Sequence, residues 1–260
     1  MSRIRLNLRH YRAYPQRDFL GHVTEPVEFD SSNMAFVVVD VYGLGYSEED
    51  GVPHERSASD FWTVEQERQV NEERIKPAID AARLLGLPIV YISNSAPRIA
   101  LHNNEFIKQL KRSIDFDWEV NCAEDTVDPL EYHHGPSKFL KYSKLFEPQP
   151  SDYFIRKLYY SGFKDTRFDT LLRDLNVKTL VFVGYAADVC LHCTMIDALN
   201  LNYEVILLRD CTLSGIEALA GEKQGTYGFT DRIVIWSEIY VGRTAISEDF
   251  VRACKNADSA

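Results

Sequence analysis

The fold is decided by a stretch that reads Thr179-Leu-Val-Phe-Val-Gly184-Tyr-Ala-Ala-Asp-Val-Cys190-Leu-His-Cys-Thr194. Its first five residues are mostly apolar and β-branched, which predicts a buried strand, and a turn that contains Gly184 follows. From Cys190 onward the spacing of the apolar residues becomes helical. The stretch therefore predicts a strand, a turn and a helix, with Cys190 at the beginning of the helix.

Cys190 is the candidate nucleophile of this region. In open α/β sheets, ligands bind at the carboxyl ends of the strands. The N-terminus of a helix carries roughly half a positive charge, which draws the pKa of a thiol from about 8.5 toward or below neutrality. The alternative is that Cys190 is a buried small hydrophobe, as free cysteines often are. A matching acid and base elsewhere in the chain would favour the nucleophile.

The composition predicts one large globular α/β domain. The chain has 260 residues, of which 45% are hydrophobic and 26% charged. The net charge of −10 argues against a nucleic-acid partner. No apolar run reaches the ~20 residues of a membrane span, and the N-terminus has no apolar signal-peptide segment. The five irregularly spaced cysteines are typical of reduced thiols, so we expect a cytoplasmic protein.

Predicted strands alternate with predicted helices after residue 33, which indicates a mainly parallel sheet covered on both faces. We therefore expect a three-layer αβα sandwich with a Rossmann-like sheet over residues 34–260, with an irregular region or insertion at about 98–150. Residues 1–33 are expected to form an N-terminal arm, either loosely held or wrapped around a neighbouring subunit. The predicted strands cover residues 35–41, 88–93, 153–158, 179–183, 204–208 and 232–236; the predicted helices cover 64–85, 168–175, 190–199 and 215–225.

Asp40 and Lys157 are charged residues near the ends of otherwise apolar strands. Each could emerge into solvent at its strand end, and burial would require partners. Because the carboxyl ends of parallel strands share one edge of the sheet, both side chains can also converge with Cys190 in one crevice. A thiol, a carboxylate that accepts its proton and an ammonium that stabilises the charge form a workable acyl-transfer site.

In these motifs the chain resembles the isochorismatase-like cysteine hydrolases, which include nicotinamidases and N-carbamoylsarcosine, ureidoacrylate and biuret amidohydrolases. Their Asp strand is matched by Val-Val-Val-Asp40, their Lys strand by Tyr153-Phe-Ile-Arg-Lys157, and their Cys signature by Gly184-Tyr-Ala-Ala-Asp-Val-Cys190-Leu-His-Cys-Thr194. The resemblance implies a parallel αβα sandwich and an Asp40–Lys157–Cys190 triad. It also implies a cis peptide at Tyr185–Ala186 and an oxyanion hole made by the backbone N–H groups of Ala186 and Cys190.

The resemblance further implies hydrolysis of an amide carbon–nitrogen bond through a thioacyl-enzyme intermediate. The segment Tyr159-Tyr-Ser-Gly-Phe163 looks most similar to the ureidoacrylate branch, so we expect a small ureido- or carbamoyl-type substrate or a primary amide. Two positions depart from the family pattern, since Tyr42 lies in a segment that is often rich in Gln and Asn, and Ala187 replaces a Thr. The metal-binding Asp-x-His pattern of nicotinamidases is missing, and we expect neither a metal nor a cofactor. We expect the pocket wall to contain Tyr42, Asn94, Tyr160, Phe163 and Tyr185.

Two other function classes stay open. The pair Cys190 and Cys193 forms a CxxC motif at a helix start, which is also typical of dithiol redox proteins. A member of the family that binds a small molecule without catalysis would use the same crevice. Family members are commonly oligomeric, and we expect a homo-oligomer here. Loop residues His133 and His134 are left out of the predicted site.

Overall fold

The computed structural model describes residues 2–15, 20–42, 64–95, 104–113, 142–215 and 228–259. Its strands are β1 (Ser2–Arg12), β2 (Gly21–Asp30), β3 (Met34–Val39), β4 (Ile89–Asn94), β5 (Tyr153–Lys157), β6 (Thr179–Gly184), β7 (Glu204–Leu208), β8 (Arg243–Ala245) and β9 (Asp258–Ser259). Its α-helices are α1 (Val64–Val70), α2 (Lys76–Leu84), α3 (Glu105–Ser113), α4 (Phe168–Asp174), α5 (Cys190–Asn200), α6 (Phe229–Tyr240) and α7 (Ser247–Lys255).

All described strands belong to one sheet with the order β2-β1-β8-β7-β6-β3-β4-β5, and β9 pairs with β1. The strands from β8 to β5 in this order run parallel to one another, whereas β1 is antiparallel to β8 and to β2. After β3 the chain proceeds outward through β4 and β5, and after β6 it proceeds in the opposite direction through β7 and β8. The neighbours β3 and β6 therefore flank the switch point of the sheet, and in open α/β sheets ligands bind at this point, outside the carboxyl ends of the strands.

Apolar side chains cover both faces of this sheet. Every residue of β3 and of β6 is buried, as expected for central parallel strands. One face packs against α2 and α7, and the opposite face packs against α4, α5 and α6. These layers confirm the predicted αβα sandwich with a mainly parallel sheet.

The N-terminal segment is the first difference from the prediction. Instead of a separate arm over residues 1–33, the described residues form a β-hairpin that extends the main sheet beyond β8. Ile4, Leu6 and Leu8 alternate with exposed residues and are buried in the core. This period of two predicts a half-buried strand, and the interspersed arginines hid it. Whether the hairpin also contacts a second subunit stays a prediction.

The second difference concerns residues 232–236, which were expected to be a strand. They lie inside helix α6, and the last parallel strand is the short β8 that follows. A brief apolar run does not distinguish a strand from a helix by its period alone. Here Val234 faces the core while Trp236 is 40% exposed, which fits a helix with one buried face.

The helix expected over 64–85 is present as α1, a π-helical turn (Asn71–Ile75) and α2, and Gly86 follows with a φ of +77°. The predicted helix at 215–225, most of the region 98–150 and the pair His133 and His134 lie outside the described residues. Within the described part of the chain, no helix is long and apolar enough to cross a membrane.

Candidate active site

The candidate site lies at the carboxyl edge of the sheet, where four elements supply its side chains. Asp40 directly follows β3, Asn94 ends β4, Lys157 ends β5, and Cys190 begins α5. Asn94 and Lys157 are partners in the register of the parallel pair β4–β5. These residues lie at the same edge of the sheet because parallel strands all end there.

Asp40 is held in place by its backbone and by a buried ion pair. Its backbone N–H donates to the carbonyl of Ile92 at 2.9 Å, and its φ of +50° turns the chain out of the strand. The Nζ of Lys157 lies 2.9 Å from Oδ2 of Asp40. The lysine side chain has no exposed surface and the aspartate side chain is 7% exposed. The solvent-exposed alternative for these two residues is therefore wrong.

The thiol of Cys190 hydrogen-bonds with both Asp40 and Lys157. Burial raises the pKa of this thiol well above its ordinary value; the Lys157 charge opposes the shift and the Asp40 charge adds to it. The expectation of a lowered thiol pKa is therefore wrong, because the effect of burial is larger than that of the Lys157 charge. A raised thiol pKa means that an attack by the sulfur requires a base.

Lys157 meets three acceptors with its ammonium group. Besides Asp40 and the sulfur of Cys190, it donates to Oδ1 of Asn94 at 2.5 Å. Burial by itself lowers the pKa of Lys157, but the Asp40 carboxylate and the Cys190 thiol raise it more, so the net shift is upward. Lys157 therefore keeps its positive charge although it is shielded from water.

The turn between β6 and α5 leads directly to Cys190. Gly184 has a φ of +108°, and a Cβ there would lie 2.0 Å from the carbonyl oxygen of Val39. The peptide between Tyr185 and Ala186 is cis. Among the described residues, the N–H groups of Ala186 and Cys190 have no hydrogen-bond acceptor, whereas the N–H of Ala187 donates to Leu213. The first two groups are therefore available to an oxyanion.

The side chains of Thr194 and Asp188 hold the start of α5 with two hydrogen bonds each. Oγ1 of Thr194 donates to the carbonyl of Cys190 at 2.7 Å and accepts the N–H of Gly162 at 3.0 Å, which joins the helix to the loop after β5. The carboxylate of Asp188 accepts the hydroxyl of Ser214 and the N–H of Gly215, both at 2.9 Å. The sequence pattern contains Thr194 but does not reveal this link to Gly162, which only the packed loop shows.

The isochorismatase domain family matches residues 59–219, more than half of the chain. The chain belongs to the isochorismatase family. This confirms the predicted family membership.

Two relatives of this chain carry the name of the same enzyme. The ureidoacrylate amidohydrolase RutB of Agrobacterium fabrum is 28% identical over 198 residues, which cover 72% of this chain and 79% of that protein. The protein of the same name from Azorhizobium caulinodans is 45% identical over 148 residues, which cover 53% of this chain and 60% of that protein. These relatives are named as amidohydrolases, and at this level the prediction of a hydrolase acting on carbon–nitrogen bonds other than peptide bonds is confirmed.

The fold is shared with a cysteine hydrolase from Pseudomonas syringae pv. phaseolicola, with a TM-score of 0.62 at 20% identity over 87% of this chain and 94% of that one. An N-carbamoylsarcosine amidase from Thermoplasma acidophilum has a TM-score of 0.52 at 22% identity over 83% and 97% of the two chains.

Three of the five residues expected in the pocket wall of this isochorismatase-family protein lie close to the triad. Tyr42 and Asn94 contact Asp40 and Lys157 directly. Burial raises the pKa of the Tyr160 hydroxyl, and the electrostatic influence of Cys190 and Cys193 raises it further. Tyr160 also meets Phe106 of α3, with ring centroids 4.8 Å apart. Phe106 was missed because the region 98–150 carries no clear periodic signal.

Phe163 and Tyr185 have different surroundings. The ring of Phe163 packs against Phe168 at 4.5 Å and Tyr203 at 5.9 Å in the core beneath the sheet. The hydroxyl of Tyr185 donates to Oδ1 of Asn71 at 2.8 Å in the core on the other face. Their expected pocket-wall positions are therefore not supported, because each ring is used in packing.

Cys190 and Cys193, the two cysteines of the CxxC motif, are both free thiols, and each residue has an intermediate solvent exposure. Within the described ranges, no group of three or more His, Cys, Asp or Glu side chains is arranged to hold a metal ion.

Proposed function

We propose that this protein is a cysteine-dependent amidohydrolase that cleaves a carbon–nitrogen bond of a small molecule through a thioacyl-enzyme intermediate. One observation carries the proposal: a buried carboxylate, a buried ammonium and a thiol meet at the switch point of the sheet. The three groups fill the roles of base, charge stabiliser and nucleophile that acyl transfer from an amide requires.

In the first half of the reaction, Asp40 accepts the proton of Cys190 as the sulfur attacks the amide carbonyl. The N–H groups of Ala186 and Cys190 hold the oxyanion, and each such donor is worth about 3–4 kcal/mol in a dry site. Asp40, now protonated, gives the proton to the leaving nitrogen as the carbon–nitrogen bond breaks. Ammonia or an amine departs, and the acyl group stays on the sulfur.

In the second half, Asp40 takes a proton from a water molecule, whose oxygen attacks the thioester carbon. The carbon–sulfur bond then breaks, the acid is released, and the proton held by Asp40 returns to the Cys190 sulfur. Lys157 stabilises the negative charge that alternates between Asp40 and the sulfur, since an opposite charge nearby favours the ionised form of each. No further reactant is required.

The substrate class is inferred from the relatives. Several are named ureidoacrylate amidohydrolases, and a structural neighbour is named an N-carbamoylsarcosine amidase. We therefore infer a small ureido- or carbamoyl-type substrate, with primary amides as the alternative. A cytoplasmic location and homo-oligomeric assembly stay predictions.

The test is ammonia release from a panel of primary amides, ureido compounds and carbamoyl compounds, with the wild type and Cys190→Ala. We expect release by the wild type that is lost in the variant, together with an acyl adduct on Cys190 in mass spectra of the quenched reaction. If Cys190→Ala still releases ammonia, the assignment of Cys190 as the nucleophile is wrong.

The same assay separates the rival functions. Cys193→Ser retains most of its amidase activity under the proposal, whereas dithiol chemistry would need the second thiol. A protein that binds panel compounds without turnover in any form would be a non-catalytic binding member of the family.

A further inference from the structure

The hydroxyl of Tyr42 lies between the triad and strand β4. It donates to Oδ1 of Asp40 at 2.5 Å and accepts the backbone N–H of Asn94 at 2.8 Å. Tyr42 itself is 4% exposed. A hydroxyl has one proton, and the N–H of Asn94 cannot accept it. The proton of Tyr42 is therefore directed at Asp40.

The two oxygens of the Asp40 carboxylate face different partners. Tyr42 occupies Oδ1, while Lys157 faces Oδ2 at 2.9 Å. Asn94 connects both sides, since its backbone N–H donates to Tyr42 and its side-chain oxygen accepts from Lys157. One residue at the end of β4 thus holds the partners of both oxygens.

We propose that Tyr42 is a positioning residue that orients the Asp40 carboxylate and favours its ionised form, so that Asp40 can accept the proton of Cys190. The inference rests on the proposed function for its chemistry. It differs from the pocket-wall role expected for Tyr42, in which the ring would face the substrate.

The surroundings of Tyr42 support this role. Burial and the Asp40 charge raise the pKa of its hydroxyl well above the ordinary value, so the hydroxyl remains a donor at every pH of interest. In the part of the chain that the structure describes, the titratable groups that face Asp40 are Lys157 from β5, Cys190 from α5, Tyr42 and Tyr142. Burial raises the pKa of Tyr142, and the Asp40 charge raises it further. Of these groups, Tyr42 is the one placed at hydrogen-bond distance from Oδ1, and Lys157 is placed against Oδ2.

Removal of the Tyr42 hydroxyl should change the pH dependence of the reaction in a defined direction. A hydrogen bond to a carboxylate favours its charged form, so its loss makes protonation easier. For Tyr42→Phe we expect the acidic limb of the profile of kcat/KM against pH to move upward by about one pH unit. We expect kcat to fall roughly tenfold, because the carboxylate also loses its fixed orientation. A ring that only lined the pocket would change KM and leave the limb unmoved.

Tyr91→Phe is the matched control. It removes another buried tyrosine hydroxyl from β4, one that accepts from Arg83 at 3.2 Å and does not contact Asp40. We expect its acidic limb to coincide with that of the wild type. If Tyr42→Phe does not fold, 3-fluorotyrosine incorporated at position 42 keeps both hydrogen bonds. It makes the hydroxyl a stronger donor, so we expect the limb to move downward.

A second readout does not depend on amide hydrolysis. The alkylation rate of Cys190 by iodoacetamide, followed by peptide mass spectrometry from pH 4 to 9 in a Cys193→Ser background, reports the proton transfer to Asp40 directly. We expect the same displacement of the acidic limb in Tyr42→Phe. A displaced alkylation limb without amidase activity in any form would contradict the proposed function but support the role of Tyr42. Coincident limbs in the wild type, Tyr42→Phe and Tyr91→Phe would overturn the inference.

Discussion

The Nζ of Lys157 lies 2.9 Å from Oδ2 of Asp40, and the lysine side chain is completely shielded from water. A buried ion pair contributes little net stability when both partners are present, because desolvation offsets the attraction. Removal of one partner leaves an uncompensated buried charge. The pair therefore couples the stability of the fold to the integrity of the candidate site.

Lys157→Met is expected to lower the free energy of unfolding by about 3–5 kcal/mol, because the buried Asp40 carboxylate would then have no positive partner. The double variant Asp40→Asn with Lys157→Met removes both charges and should recover much of this loss. Denaturant unfolding of the four proteins of this cycle measures the coupling. Additive effects of the two substitutions would contradict an energetic coupling between Asp40 and Lys157. Amidase activity should be absent from all three variants.

The close approach of Gly184 to β3 gives a second prediction. Gly184→Ala is expected to cost about 3 kcal/mol or more, because the new methyl group would collide with the Val39 carbonyl and the residue would keep a positive φ. Gly86→Ala is the control, since Gly86 also has a positive φ but open space around it, and should cost only about 1–2 kcal/mol. Equal losses in thermal or denaturant unfolding would show that Gly184 is needed for its conformation alone.

Stability should decrease at alkaline pH. Burial, despite the Lys157 charge, raises the pKa of the Cys190 thiol, so above the unfolded value of about 8.5 the folded state holds a proton that the unfolded state releases. The pKa of Lys157 is also raised. Its contribution is therefore complete below the unfolded value of about 10.4 and is lost as the pH rises through the folded value.

Cys190→Ala tests the thiol part of this dependence. One proton corresponds to 1.36 kcal/mol per pH unit, so between pH 7 and pH 10 the wild type should lose about 2 kcal/mol more than the variant. The variant still becomes less stable, since burial also raises the pKa of Cys211 and Cys254. Denaturant unfolding under reducing conditions at both pH values measures the difference. Parallel losses in the two proteins would contradict a protonated Cys190.

The N-terminal hairpin is expected to stabilise the fold. Leu6 is 1% exposed and belongs to the main core, so Leu6→Ala should cost about 2–5 kcal/mol. Its neighbour Arg5 is exposed on the same strand, and Arg5→Ala should change the stability by less than about 0.5 kcal/mol. If both substitutions leave the unfolding midpoint unchanged, residues 1–33 are a dispensable arm after all.

Local patterns in the sequence were sufficient for the central architecture. The apolar runs that end at Val39 and Gly184 predict buried parallel strands, and both form them. The charged residues Asp40 and Lys157 were located correctly because strand ends at one edge must lie close together. Periodicity failed where it was ambiguous, at residues 232–236, and where charged neighbours obscured it, at residues 2–12.

From the sequence alone, a carboxylate, an ammonium and a thiol could be placed at one edge of the sheet, at the ends of two parallel strands and the start of one helix. The tertiary structure set the contacts and the surroundings of each side chain. It turned Tyr185 and Phe163 into the core, directed the Tyr42 hydroxyl at Asp40, and raised the pKa of Cys190 where the helix terminus alone predicted a fall. The physical reason is that strand register depends on neighbours along the chain. Desolvation and hydrogen bonding instead depend on everything that packs around an atom, including residues far away in sequence.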